Sequence, residues 1–184
     1  MKKVNILASL FAGLLMFSAC EADRDSNPVY QEPTKFVLNT PAYVNTVYDL
    51  EYSTSLELTC SQPDYGFTAA TYYAVQVSLT EDFSSFEELS TQYTTAKMNV
   101  DASELAVAAT NMKVAEGALE EDFPMIAPLY IRLRAYINES MGEIISNTIS
   151  LTNVKLYFAL PPIELPTKLY LIGDFCNWNW DNAP

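Results

Sequence analysis

Leu129-Tyr130-Ile131-Arg132-Leu133-Arg134-Ala135-Tyr136-Ile137 alternates residue by residue. Leu129, Ile131, Leu133, Ala135 and Ile137 fall on one side, and Tyr130, Arg132, Arg134 and Tyr136 on the other. Successive side chains of a strand point to opposite faces, so this period places the first set in a core and the second outside it. The pattern recurs on both sides of the segment. Leu56, Leu58 and Cys60 alternate with Ser55, Glu57 and Thr59; Tyr73, Val75, Val77 and Leu79 alternate with Tyr72, Ala74, Gln76 and Ser78; Ile149 and Leu151 continue it. The runs are separated by turn chemistry at Asn39-Thr40-Pro41, Gln62-Pro63-Asp64 and Asn138-Glu139-Ser140-Met141-Gly142. One stretch has helical period instead. Asp101 is placed to N-cap it, with Glu104 three residues on as its capping partner. Leu105, Ala108, Ala109 and Met112 share a face, and Gly117 lies past the end. One short helix among about seven strands predicts an all-β sandwich with a helical crossover.

Composition bounds what such a domain can do. The chain has 184 residues, with 10 Lys+Arg against 23 Asp+Glu and a formal net charge of −13. Nucleic acid is excluded as a partner, since phosphate binding needs clustered cations, and so is electrostatic binding to anionic lipid. There is no His, which removes Ser-His-Asp and Cys-His catalysis and imidazole zinc sites. A hydrophobic content of 49% with 18% charged residues is that of a globular chain.

The N-terminus reads as an address. Lys2 and Lys3 precede an apolar run, Val4 to Phe17, broken only by Asn5 and Ser9. That run is too short to span a bilayer comfortably and has the form of a secretory signal. It ends in Ser18-Ala19-Cys20, which resembles a bacterial lipobox, with Phe17 where Leu is usual. Cys20 is therefore the expected site of lipidation, and a membrane attachment through its acyl chains is implied. Glu21-Ala22-Asp23-Arg24-Asp25 resembles the export signal of surface-exposed outer-membrane lipoproteins.

The organisation follows: a lipoprotein signal at 1–19, an acidic tether at 20–33, a sandwich at 34–158, a Pro-rich linker at 159–167 and an incomplete second β module at 168–184. The linker, Leu160-Pro161-Pro162-Ile163-Glu164-Leu165-Pro166, is stiff and extended. The strand-like Lys168 to Gly173 follows, and the sequence given ends at Pro184, so it reads as a fragment whose second module is cut short. Cys60 and Cys176 fall in different modules, and no CxxC pair supports a metal or redox site.

Ser61-Gln62-Pro63-Asp64-Tyr65-Gly66-Phe67, then Thr71 to Val77, then Leu129 to Ala135, resemble the N-terminal domain of the SusE/SusF family of outer-membrane starch-binding lipoproteins. Tyr170-Leu171-Ile172-Gly173-Asp174-Phe175-Cys176-Asn177-Trp178 is similar to the opening strand of that family's glycan-binding modules, with Cys176 a departure. The resemblance implies an immunoglobulin/fibronectin type III-like spacer domain beside the membrane and a downstream module that holds the sugar. It implies starch, malto-oligosaccharide or another glucan as ligand, and a TonB-dependent importer and a SusD-like protein as neighbours. It implies a place on the outer membrane facing the cell exterior. Cys60 stands where such sandwiches often bury a Trp.

Chemistry-bearing residues are few. Trp178 and Trp180 have like parity, so in an extended segment both would face the same way as a platform for sugar rings, with Asn177 and Asn179 serving hydroxyls. For at least one of the two Trp the core anchor of a sandwich is the stronger reading. The acidic clusters Glu81-Asp82, Glu87-Glu88 and Glu120-Glu121-Asp122 lie between strands and read as solvated surface, not as the paired carboxyls of a glycosidase. No EF-hand spacing or phosphate loop appears, and no cofactor or metal is expected. Arg132 and Arg134, between Tyr130 and Tyr136, are placed for cation–π stacking, and Tyr130 is alternatively a buried tyrosine-corner residue. The leading expectation is a non-catalytic glucan-retaining surface lipoprotein. An adhesive sandwich with a protein partner and a glycosidase carrying this domain as an appendage are the alternatives.

Overall fold

The computed structural model describes residues 29–42, 44–163, 173–174 and 177–179. The strands are β1 (Val47–Asp49), β2 (Ser55–Thr59), β3 (Tyr72–Ser78), β4 (Glu87–Tyr93), β5 (Lys97–Asp101), β6 (Met125–Tyr136), β7 (Ile144–Ile145) and β8 (Ile149–Leu156), of which β2, β3, β6 and β8 are the alternating runs, and helix α1 (Ala102–Ala115) lies between β5 and β6. The larger sheet runs in the order β1-β8-β6-β3-β4, with β7 also on β6. Its pairings are antiparallel except β1 with β8, which are parallel, Val47 opposite Asn153 and Asp49 opposite Lys155. The smaller sheet pairs β2 with β5. Backbone bonds from Asn39 to Thr59 and from Ser61 to Val37, with a bridge between Leu38 and Cys60, lay residues 37–39 along β2.

The two layers close on each other as the alternation requires. Leu58, Val75, Val77, Val100, Leu129, Ile131, Leu133, Val154 and Leu156 are all fully buried. Burial of that apolar set is the main favourable term in such a domain. The fold is thus the all-β, sandwich-like arrangement with one short helix expected for an immunoglobulin/fibronectin type III-like domain.

Helix α1 packs over β2, β3, β4, β5 and β8. Leu105, Ala108, Ala109 and Met112 face the core, as the periodicity predicts, joined by Ala102 and Ala106. Asp101 caps it, accepting from the N–H groups of Ser103 (2.7 Å) and Glu104 (3.3 Å). Glu104 does not return the bond in a capping box. Its carboxylate reaches across to β4, where it accepts from Ser90 Oγ (2.7 Å) and the Thr91 N–H (2.9 Å). An exposed strand with an unpaired N–H competes successfully for the acid.

The packed body runs past residues 34–158 at both ends. Gln31 N–H bonds Tyr65 O, Tyr30 stacks on Tyr65, and Pro33 is buried. At the other end Thr110 Oγ1 donates to Tyr157 O and accepts from the Ala159 N–H, both at 3.2 Å, and Ala159 is buried.

Cys60 is free and buried, and burial pushes its thiol up to about 11. It packs as a small hydrophobe beside Tyr73.

Candidate functional site

Two regions carry groups able to meet a ligand: the turn around Trp178 and the outer face of the larger sheet.

At the turn, Asn177 N–H donates to Asp174 O (3.2 Å) and Trp178 N–H to Gly173 O (3.1 Å). The indole Nε1 donates to Asp174 Oδ1 at 2.8 Å. Trp178 is 69% exposed among the described residues. Asn177 and Trp178 both lie in the left-handed region, with φ of 52° and 56°. The segment is therefore not extended there, and the parity argument for a shared platform with Trp180 fails at Trp178. Two consecutive left-handed residues reverse the chain, and sequence alternation carries no signal of that. Trp180, Cys176 and Cys20 lie outside the described residues.

On the outer sheet face, β3 and β6 set Tyr72 opposite Tyr136, Ala74 opposite Arg134, Gln76 opposite Arg132 and Ser78 opposite Tyr130. Glu88 of β4 stands beside Gln76. These groups form one chain of bonds. Arg132 Nε donates to Gln76 Oε1 (2.7 Å), and Gln76 Nε2 donates to Glu88 Oε2 (2.8 Å). Arg134 forks onto the same carboxylate, Nη2 to Oε1 at 2.6 Å and Nε to Oε2 at 2.9 Å. The Arg134 bonds hold the Glu88 carboxyl below its ordinary range against the opposing effect of burial, and in turn raise Arg134.

The cation–π pairing expected of both arginines holds for one. Arg134 lies 4.4 Å from the Tyr136 ring centre, and Tyr136 stacks on Tyr72. Arg132 turns away from Tyr130 and lies over Phe83 (4.1 Å) and Phe86 (5.1 Å). The β3–β4 loop brings these rings over the sheet. Phe83 has φ of 52°, a conformation that costs a non-glycine residue about 1–3 kcal/mol. Ser78 Oγ donating to Ser85 O at 2.6 Å and Ser84 N–H donating to Asp82 Oδ1 at 3.1 Å hold the loop in that form. A loop of this kind leaves no periodic trace, so the sequence pattern misses both Phe.

Tyr130 is only half-buried. The corner-like residue is Tyr65, buried to 1% exposure, whose hydroxyl donates to Gly142 O at 2.8 Å. Burial pushes that phenol up to about 12. Gly142 has φ of 79°, and a Cβ there would sit 2.8 Å from Tyr65 Cε1, so glycine is required for the approach.

Among the described residues the carboxylates with displaced pKa values, Asp49, Asp82, Glu88, Asp101 and Glu104, move downward. No group of three or more acidic or thiol side chains among the described residues is arranged to hold a metal ion.

No solved structure matches the chain. A family model described as SusE outer membrane protein matches residues 22–134.

Proposed function

The chain belongs to the SusE outer membrane protein family, and from that premise we propose that it is a non-catalytic, lipid-anchored protein of the outer membrane that retains starch or a related glucan beside an importer. Cys20 is the anchor. The sandwich is the membrane-proximal spacer, and the segment from residue 168 opens a glycan-binding module. A TonB-dependent importer and a SusD-like protein are the neighbours that such retention serves.

The observation that carries the sugar-binding part is Trp178. Its indole N–H is held by Asp174. That bond fixes the ring so that a pyranose can lie on it without the indole losing much freedom. Several weak platforms of this kind along one polymer act by avidity, raising local glucan concentration with no chemical step.

Electrophoresis of residues 21–184 through amylopectin gels tests this reading. Weak retardation is expected, because a single weak platform lacks the avidity of several. Strong retardation abolished by Trp178→Ala shows that the turn binds by itself. Strong retardation insensitive to Trp178→Ala moves the glucan site into the sandwich and ends its role as a spacer. Separately, Cys20→Ala should release the protein from the membrane fraction; a variant that stays attached overturns the anchor.

A further inference from the structure

Arg132 and the exposed Lys35 stand apart from the other described cations. Lys97, Lys113, Arg134 and Lys155 all sit in ion pairs, with Glu57, Glu116, Glu88 and Asp49. Arg132 makes no ion pair with a described residue, in a chain of net charge −13. Its guanidinium is nevertheless fixed in place. Nε is tied to Gln76, and Gln76 is tied onward to Glu88, which Arg134 already occupies. The plane of the group is supported by Phe83 and Phe86.

Neither Nη atom bonds a described residue. Neither belongs with the Tyr136 hydroxyl, the one sealed side-chain polar atom without a partner among the described residues. The two Nη atoms therefore face solvent as an immobilised fork of donors. Beside them Phe86 is 43% exposed. Phe83 is itself buried and Leu79 of its loop packs against the core, and the same loop sets the Phe83 and Phe86 rings against this fork.

We propose that Arg132 and Phe86 form a binding site for the carboxylate of a sugar acid, a single uronate unit in an otherwise neutral glycan. A planar guanidinium fork matches a carboxylate through two parallel N–H···O bonds. The open ring of Phe86 takes the apolar face of the pyranose that carries it. Because Nε and both ring supports are in place beforehand, little side-chain freedom is lost on binding. The overall acidity of the protein sets the other limit. A polyuronate is repelled as a whole, while an isolated carboxylate feels mainly the local arginine. The identification of the ligand as a glycan rests on the proposed function; the recognition of carboxylate does not.

The test uses the full chain in detergent, labelled with ¹⁵N and ¹³C. It is titrated with a disaccharide ending in glucuronate, with maltose, with acetate, and with a short peptide bearing one aspartate. The glucuronate disaccharide should move the Arg132 Nε–H and the Phe83 and Phe86 ring resonances. It should bind at least about tenfold more tightly than each of the other three. Arg132→Gln and Arg132→Lys should each cost about tenfold or more, the lysine keeping the charge and losing the fork. Phe86→Ala, at an exposed position, should weaken binding several-fold whether or not the Arg132 variants fold. Equal binding of maltose overturns carboxylate recognition. Equal or tighter binding of acetate or the peptide overturns the glycan and assigns the site to carboxylates at large, a protein partner included. Absence of any shift at Arg132 overturns the site. The amylopectin experiment probes a neutral polymer at Trp178, so either reading can fail with the other intact.

Discussion

On the inner face of β6, Leu129, Ile131 and Leu133 are sealed into a cluster with Met98, Val100 and Leu105. One residue along the same strand, Arg132 and Arg134 lie among Gln76, Glu88, Tyr136 and two phenylalanines, half open to water. The inner face is held by area removed from water, which has no preferred direction and rewards any apolar shape that fills the space. The outer face is held by bonds with fixed lengths and angles, each of modest net worth. A strand can therefore place its stability on one side and its specificity on the other, and substitutions should separate the two.

Leu133→Ala should have the largest effect, a loss of about 2–5 kcal/mol from the removed side chain and the cavity behind it. Denaturant unfolding measures it. A loss below about 1 kcal/mol would mean that the core collapses onto the gap and that the inner face is not packed as described.

Glu88→Gln should cost about 1 kcal/mol, since the pair it breaks is bidentate but partly solvated. Its pH dependence sharpens the comparison. The Arg134 bonds hold folded Glu88 below its unfolded value, so the unfolded state takes up the proton first as pH falls. The contribution is complete above the unfolded carboxylate pKa of about 4.3 and is lost as pH drops through the depressed folded value. The stability gap between wild type and Glu88→Gln should accordingly close on acidification. A gap that persists unchanged at the lowest pH where the protein stays folded would show that Glu88 acts through packing and not charge. The Leu133→Ala gap should not follow this pH course.

Tyr136→Phe should have the smallest effect. Its hydroxyl is buried without a partner among the described residues, so removing it costs no bond and relieves a desolvated polar group. A change within about 0.5 kcal/mol, or a slight stabilisation, is expected from thermal unfolding. A loss above about 1 kcal/mol would reveal a bound water or ligand on that oxygen.

The inner face was legible in the sequence almost residue by residue, because burial of alternate side chains is what period two encodes. Asp101 and the buried stripe of α1 were legible for the same kind of reason: a cap and a 3.6-residue repeat are local. What the sequence left open depends on contacts between distant segments. Glu104 chose β4 over its own helix end, Tyr65 took the corner role through Gly142 of a far turn, and Phe83 reached Arg132 through a left-handed loop residue. None of these leaves a period or a motif. The Trp178 turn escaped notice because a reversal at two non-glycine residues looks like ordinary alternation in one dimension.

The parallel pairing of β1 and β8 gives the domain a mechanical character. When the chain is pulled from before β1 and from beyond β8, tension drags the two strands in opposite directions along a common axis. Once the contacts of residues 31–39 with Tyr65 and β2 have given way, the load falls on the ladder between them, on the Leu50 N–H to Lys155 O bond and on the 2.7 Å contact between Lys155 Nζ and Asp49. Antiparallel terminal strands would open from one end like a zipper, a bond at a time. Here the seam is sheared, and forced unfolding follows the barrier to breaking the whole set together. Stretching single molecules by their ends should give one high-force rupture for the domain, reduced by Asp49→Asn; a series of small low-force steps would mean that the seam peels.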